Sequence, residues 1–261
     1  MKSYIIELVR YRELLFNFTI REIKIRYKQT LFGVGWAVLQ PLAMMVIFTI
    51  IFSRFLNLES EQFPYPIFSY SALLFWTFFS TSISFGPNAM IRMAELIRKI
   101  YFPREIIPIS SILAAFVDMM IASVIFFVMM IAYRVAFGWS LLYIPLLLLI
   151  QITFTVGVVF ILGSLNVFYR DVRHGIPFLV QLWMYATPIV FSMDVVPEKL
   201  RYWYVAVNPM ASLIDSYRKV ILHGVAPNFR YIMASVPLIM VMLVFGLWFF
   251  KKVEGHFADV I

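Results

Sequence analysis

Residues 96–109 read LIRKIYFPREIIPI, placing Arg98, Lys99 and Arg104 beside Glu105, with Tyr101 and Phe102 between them and Pro103 and Pro108 as punctuation. Cations this dense can pair with a carboxylate or hold a phosphate group. An aromatic pair can anchor a protein partner, and the prolines restrict the backbone around it. None of this is bond-making chemistry, because no His, Cys or Ser stands at catalytic spacing within the strip. A shorter cluster, Arg170, Asp171 and Arg173, repeats the pattern, and Asp171 is expected to pair with its basic neighbours.

The rest of the chain is equally poor in catalytic groups. It has no GxxxxGK[ST] loop to cradle nucleotide phosphates, and Gly33 and Gly35 make only a lone GxG. His174, His223 and His256 are far apart in sequence, so no metal site is expected. With no cysteine there is neither disulfide nor thiolate chemistry. The reading is therefore not an enzyme, with no cofactor on this chain. The net charge of +8 suits basic loops facing anionic lipid better than it suits nucleic acid.

What positions the two clusters is a set of oily helices. Hydrophobic residues make up 62% of the 261 and charged residues 14%, against about 25% charged in a soluble domain. Six apolar runs are long enough to span a bilayer as helices, at about 34–56, 66–88, 109–137, 141–165, 176–193 and 232–250. The expected fold is all-α and integral to the membrane. Residues 1–33 form a cytoplasmic amphipathic arm, and 34–261 form one six-span domain with short outer-face helices at about 197–222. The charged arm is not read as a signal peptide.

Lys and Arg counted by loop put both termini in the cytoplasm, with fifteen of the 22 on that side and seven outside. A cysteine placed at Glu61, in the first outer loop, would be labelled only from outside. Over 14–28, Phe16, Ile20, Ile23 and Tyr27 form an apolar stripe opposite Asn17, Arg21, Lys24 and Lys28, as in a helix lying on a membrane. Between the last two spans, Pro197 opens one short helix and Asn208-Pro209 another, which Gly224 ends. In the second, Asp215, Arg218 and Lys219 form the polar side. Pro41 and Pro188 should kink spans one and five. Asp118 is an acid well inside span three, so it is either part of a path or bonded to a neighbouring helix.

Three stretches together resemble one family: the arm running through GVGWAVLQP into span one, the strip KIYFPRE, and FYRD after span four continuing to NPMASLIDSYRKVILHG. The chain is similar to membrane subunits of ABC-2-type polysaccharide exporters, the Wzm-like permeases of O-antigen export, with teichoic-acid and capsule exporters as relatives. The resemblance implies a homodimer in the bacterial cytoplasmic (inner) membrane, working with a separate cytoplasmic ATPase subunit that carries ATP and Mg²⁺. The implied cargo is a polysaccharide on a polyprenyl pyrophosphate lipid. It further implies that Arg98, Lys99, Tyr101, Phe102, Pro103, Arg104, Glu105, Arg170, Asp171 and Arg173 serve ATPase coupling and cargo entry.

Aromatic rings offer sugars a broad contact surface of low specificity. By the same resemblance, a glycan channel draws on Trp36, Phe48 and Phe52 of span one, Trp76 and Phe79 of span two, and Trp183, Tyr185 and Phe191 of span five. Spans one and five are the main expected contributors.

Overall fold

The computed structural model describes residues 10–55 and 63–260, so Glu61 and the first nine residues of the arm lie outside the described residues. The described chain is helical, with no strand. In order come α1 (Arg12–Tyr27), α2 (Trp36–Phe48), α3 (Tyr65–Arg92), α4 (Ala94–Lys99), α5 (Ile106–Ala132), α6 (Ile144–Phe168), α7 (Val172–Tyr185), α8 (Glu198–Val207), α9 (Pro209–Ile221), α10 (Phe229–Val253) and α11 (Phe257–Val260). Among the described residues, five helical stretches are long and apolar enough to cross a membrane: 33–55, 65–92, 106–132, 139–168 and 229–256. The first of them is α2 extended by a wide, π-helical stretch over Thr49–Phe55.

The bundle is built around α3. Most of that helix is buried, from Tyr65 through Phe79 to Met90, and it packs on α2, α5, α6, α7 and α9. Its aromatics fill the core: Phe79 stacks on Phe154, and Phe75 lies flat against Tyr217. The closest helix pair is α6 with α10, where glycines let two backbones touch. A Cβ on Gly157 would lie 2.6 Å from the carbonyl carbon of Met242, and one on Gly246 would lie 2.5 Å from the Gly157 oxygen. Small residues are how helices approach closely in lipid, where burial of apolar area gives no drive to associate.

The fifth predicted span is corrected by the structure. Residues 176–193 do not form one crossing helix. Instead α7 has 14 residues, ~21 Å of helix against ~30 Å of hydrocarbon, and it stops at Tyr185. Pro188 therefore lies three residues past the end of the helix rather than kinking it. Pro41, by contrast, lies inside α2.

An open backbone within a bundle must have its carbonyls bonded by protein, and here the account closes. Ala186 O accepts from Asn208 Nδ2 at 2.9 Å and from the Tyr204 hydroxyl at 2.7 Å. Thr187 O accepts from the Ile189 amide, and Val190 O accepts from the Tyr65 hydroxyl at 2.8 Å. The Arg218 guanidinium donates to Pro188 O, Ile189 O and Phe191 O at 2.5, 2.5 and 3.0 Å. Its plane rests 3.6 Å over the Phe68 ring.

This overturns two expectations about the outer helices. α9 is not a surface helix: from Pro209 to Arg218 every residue is buried. Arg218, assigned to its polar side, points inward with 5% exposure. Only Asp215 and Lys219, paired at 2.9 Å, keep a polar edge. α8 remains the more exposed of the two.

Two stability tests follow. Gly157→Val should lower the thermal unfolding midpoint in detergent, by a cost of about 1–3 kcal/mol or more. Gly175→Ala, whose added methyl meets open space, should leave it unchanged. Arg218→Lys, with fewer donors and no planar fork, should strand at least one buried carbonyl at about 1–3 kcal/mol, and Arg218→Met should do worse on the same midpoint.

Candidate functional site

The segments expected on one side of the membrane do meet at one end of the bundle. A buried cluster there joins Phe18 of α1, Met90 and Met93 at the end of α3, Ile97 of α4, Phe102 and Ile106, Val167 of α6, Phe250 of α10 and Phe257 of α11. α11 packs against both α4 and α6. The opposite end holds 190–225, where Met193, Val205 and Ala211 form a small cluster of their own.

The strip is split between these surroundings. α4 ends at Lys99, Ile100 is extended, and Tyr101 projects into solvent at 92% exposure. Arg98 and Lys99 are exposed too, with Lys99 3.9 Å from Glu95. Phe102, expected as an outward anchor, turns inward instead. It is 5% exposed and sits edge-on to Phe18 with centroids 5.7 Å apart. Glu105 is likewise not open to a partner, since it is buried in an ion pair with Lys251 of α10. Pro103 and Arg104 are half-buried. Pro108 falls in the first turn of α5, where its missing N–H costs no helical bond.

Arg170 and Asp171 lie exposed in the turn between α6 and α7, and Arg173 is exposed in the first turn of α7. Among the described residues, Asp171 makes no ion pair with Arg170 or Arg173, contrary to expectation. At the start of α7 its backbone carbonyl instead accepts from the His174 and Gly175 amides. Water screens adjacent surface charges, so pairing there gains little.

The arm is fastened to this end by a face offset from the expected apolar stripe. Phe18, Glu22 and Arg26 follow one another at four-residue spacing and face the bundle, whereas Phe16 of the expected apolar stripe is 65% exposed. Asn17, Arg21, Lys24 and Lys28 are exposed as that reading requires. Glu22, fully buried, accepts from Arg92 at 2.6 Å. Arg26 donates to Asp118 at 2.7 Å, with side chains only 5% and 14% exposed, and to Ser111 O at 2.9 Å.

Tyr27 donates to the other Asp118 oxygen at 2.7 Å. Burial, and then the neighbouring carboxylate, push the phenol well above the usual tyrosine range, so it keeps its proton. Asp118 is therefore held by the arm rather than left alone in span three. An acid in the middle of a mostly basic helix, Glu22, was the sequence signal that a second face had an inward duty.

The expected channel aromatics divide in the same way. Phe48, Trp76 and Phe79 are core residues, 5%, 3% and 0% exposed, and cannot line a path through this chain. Trp36 and Tyr185 are exposed, at 44% and 55%, and Phe52, Trp183 and Phe191 are half-buried. Trp183 packs edge-on to Phe79 and Phe154 and donates to Asn208. Of the expected channel aromatics, the two exposed ones thus lie on span one and α7.

Breaking the arm's anchor should be costly. Asp118→Ala leaves a buried guanidinium uncompensated, for about 3–5 kcal/mol. Hydrogen exchange across residues 12–27 should accelerate accordingly, while the double replacement Arg26→Met with Asp118→Leu should restore part of the protection.

Comparison with known proteins matches residues 13–222 to the family model described as ABC-2 type transporter. The chain is 30% identical over 256 residues to the O-antigen export system permease protein RfbA of Myxococcus xanthus, covering 98% of each chain. A protein of the same name from Klebsiella pneumoniae is 31% identical over 251 residues, covering 95% of each. The polysialic acid transport protein KpsM of Escherichia coli is 24% identical over 213 residues, with 78% of this chain and 80% of that one aligned.

Proposed function

This chain belongs to the ABC-2 type transporter family, and from that premise we propose that it is the membrane permease of an ATP-driven exporter of lipid-linked polysaccharide of the O-antigen type. The observation carrying this reading is likeness along nearly the whole length to permeases named for O-antigen export. The lower identity to polysialic acid transport proteins, over less of the chain, makes a capsule-type cargo the second choice.

On this reading two copies of the chain work together in the cytoplasmic membrane with both termini inside. ATP and Mg²⁺ sit on a separate cytoplasmic subunit, in keeping with the missing phosphate loop. The clustered end is the cytoplasmic one, and the ATPase grips it there. Tyr101 is the anchor, since Phe102 is spent on holding α1, and Glu105 locks the strip to α10 through Lys251. Force applied at Tyr101 then reaches α1, α5 and α10 together.

The exposed cations Arg98, Lys99, Arg170 and Arg173 face the same cytoplasm. They draw in the pyrophosphate of the cargo lipid by charge-assisted bonding. The glycan then follows the open aromatic surface of span one and α7, against the second copy.

Reconstitution with the ATPase subunit tests both roles. Tyr101→Ala should cut glycan-dependent ATP hydrolysis and export by roughly an order of magnitude with the permease still folded. Phe102→Ala should instead lower the amount of folded permease. Export unchanged by Tyr101→Ala would overturn the coupling role. Neutralising Arg98, Lys99, Arg170 and Arg173 together should weaken binding of the lipid-linked glycan, more so at low salt.

A further inference from the structure

A cavity of about 170 Å³ lies between α1, α2, α3 and α5, beside the arm's anchor and bordered by Trp36. We propose that it is a binding site for one uncharged sugar ring, which, on the export reading above, is a ring of the cargo glycan.

Two hydroxyls without partners line this space, and a third unpartnered polar atom is buried behind its wall. The Nε of Arg26 is buried with no hydrogen bond, although the other guanidinium nitrogens are engaged. Thr77 and Thr81, one turn apart on α3, both line the cavity. In a membrane helix a hydroxyl normally returns its proton to a carbonyl three or four residues back. Their neighbours Ser80 and Ser82 do so, to Thr77 O at 3.2 Å and to Phe78 O at 2.7 Å. Neither Thr77 nor Thr81 makes such a bond among the described residues. Gln40 of α2 adds an exposed amide at the rim.

Charge then selects the ligand class. A phosphate would approach Arg26, but Asp118 at 2.7 Å already neutralises that cation and would repel the newcomer. An acyl tail would leave the two threonine hydroxyls unsatisfied. What remains is a neutral group rich in hydroxyls and with an apolar face. The walls suit it, since Trp36 and Phe85 border the same space as the polar groups. The site sits where the arm is pinned, so an occupant touches α1 and three spans at once.

Saturation-transfer NMR on the purified chain in nanodiscs tests this, with methyl α-D-glucopyranoside, methyl α-D-mannopyranoside and methyl α-L-rhamnopyranoside as neutral probes and glucose 6-phosphate as the anionic one. At least one glycoside should receive saturation and glucose 6-phosphate should receive none. Thr77→Val with Thr81→Val should weaken that binding about tenfold without moving the thermal midpoint, because these hydroxyls hold no protein bond. Gln40→Leu, at the rim, should weaken it on an independent background.

Three results would each overturn the site: no transfer to any glycoside, equal transfer in the double variant, or preference for the phosphate. Those results leave the export reading standing. Lack of ATP-driven export by the wild-type complex would instead sink the export reading, whatever the sugar titration gives.

Discussion

One guanidinium makes the shape of this bundle possible. Between Tyr185 and Met193 the chain stops being helical while still among other helices, which in a low-dielectric interior leaves strong acceptors without partners. Arg218 satisfies three of those carbonyls from a single planar group, and Asn208, Tyr204 and Tyr65 take two more. The price is that the donors must be delivered from inside, so α9 is drawn into the core and Phe68 is laid under the cation. A short α7 and a buried α9 are two consequences of one hydrogen-bonding requirement.

Polar groups do comparable work at the other end. In water, the amphipathic arm would gain little from ion pairs. Here Glu22 and Arg26 are enclosed, and a buried pair is geometrically demanding even when its net contribution to stability is modest. The arm therefore has one register against α3 and α5 rather than sliding over a greasy surface. With Phe102 on Phe18 and Glu105 on Lys251, the strip, the arm and the last span form one mechanical unit. Its exposed tip is Tyr101. Buried residues give that unit its rigidity, and Tyr101 projects from it.

The aromatic wealth of the chain likewise serves two ends. Rings on α3 pack into the enclosed core, where Phe75 stacks on Tyr217 and Phe79 on Phe154. On span one and α7, Trp36 and Tyr185 stay open, whereas Phe48 is buried. Type alone does not separate these groups; position in the bundle does.

The helical class and the apolar spans were legible in the sequence by itself, because apolar run length is a local sum over the chain. The strip, the 166–175 turn and the C-terminal end lie together as expected, and the cationic stripe Asn17, Arg21, Lys24 and Lys28 is exposed. Tertiary structure decided where local periodicity ran into partners far away in the chain. Arg218 looks like a surface cation until Pro188 breaks a helix 30 residues earlier. Asp118 looks like an isolated acid until Arg26 reaches it from 92 residues away, and Phe102 looks like an interface anchor until α1 covers it. In each case the deciding term is the cost of burying an unmatched polar group, or the gain from burying a ring, and neither can be evaluated until the neighbour is in place.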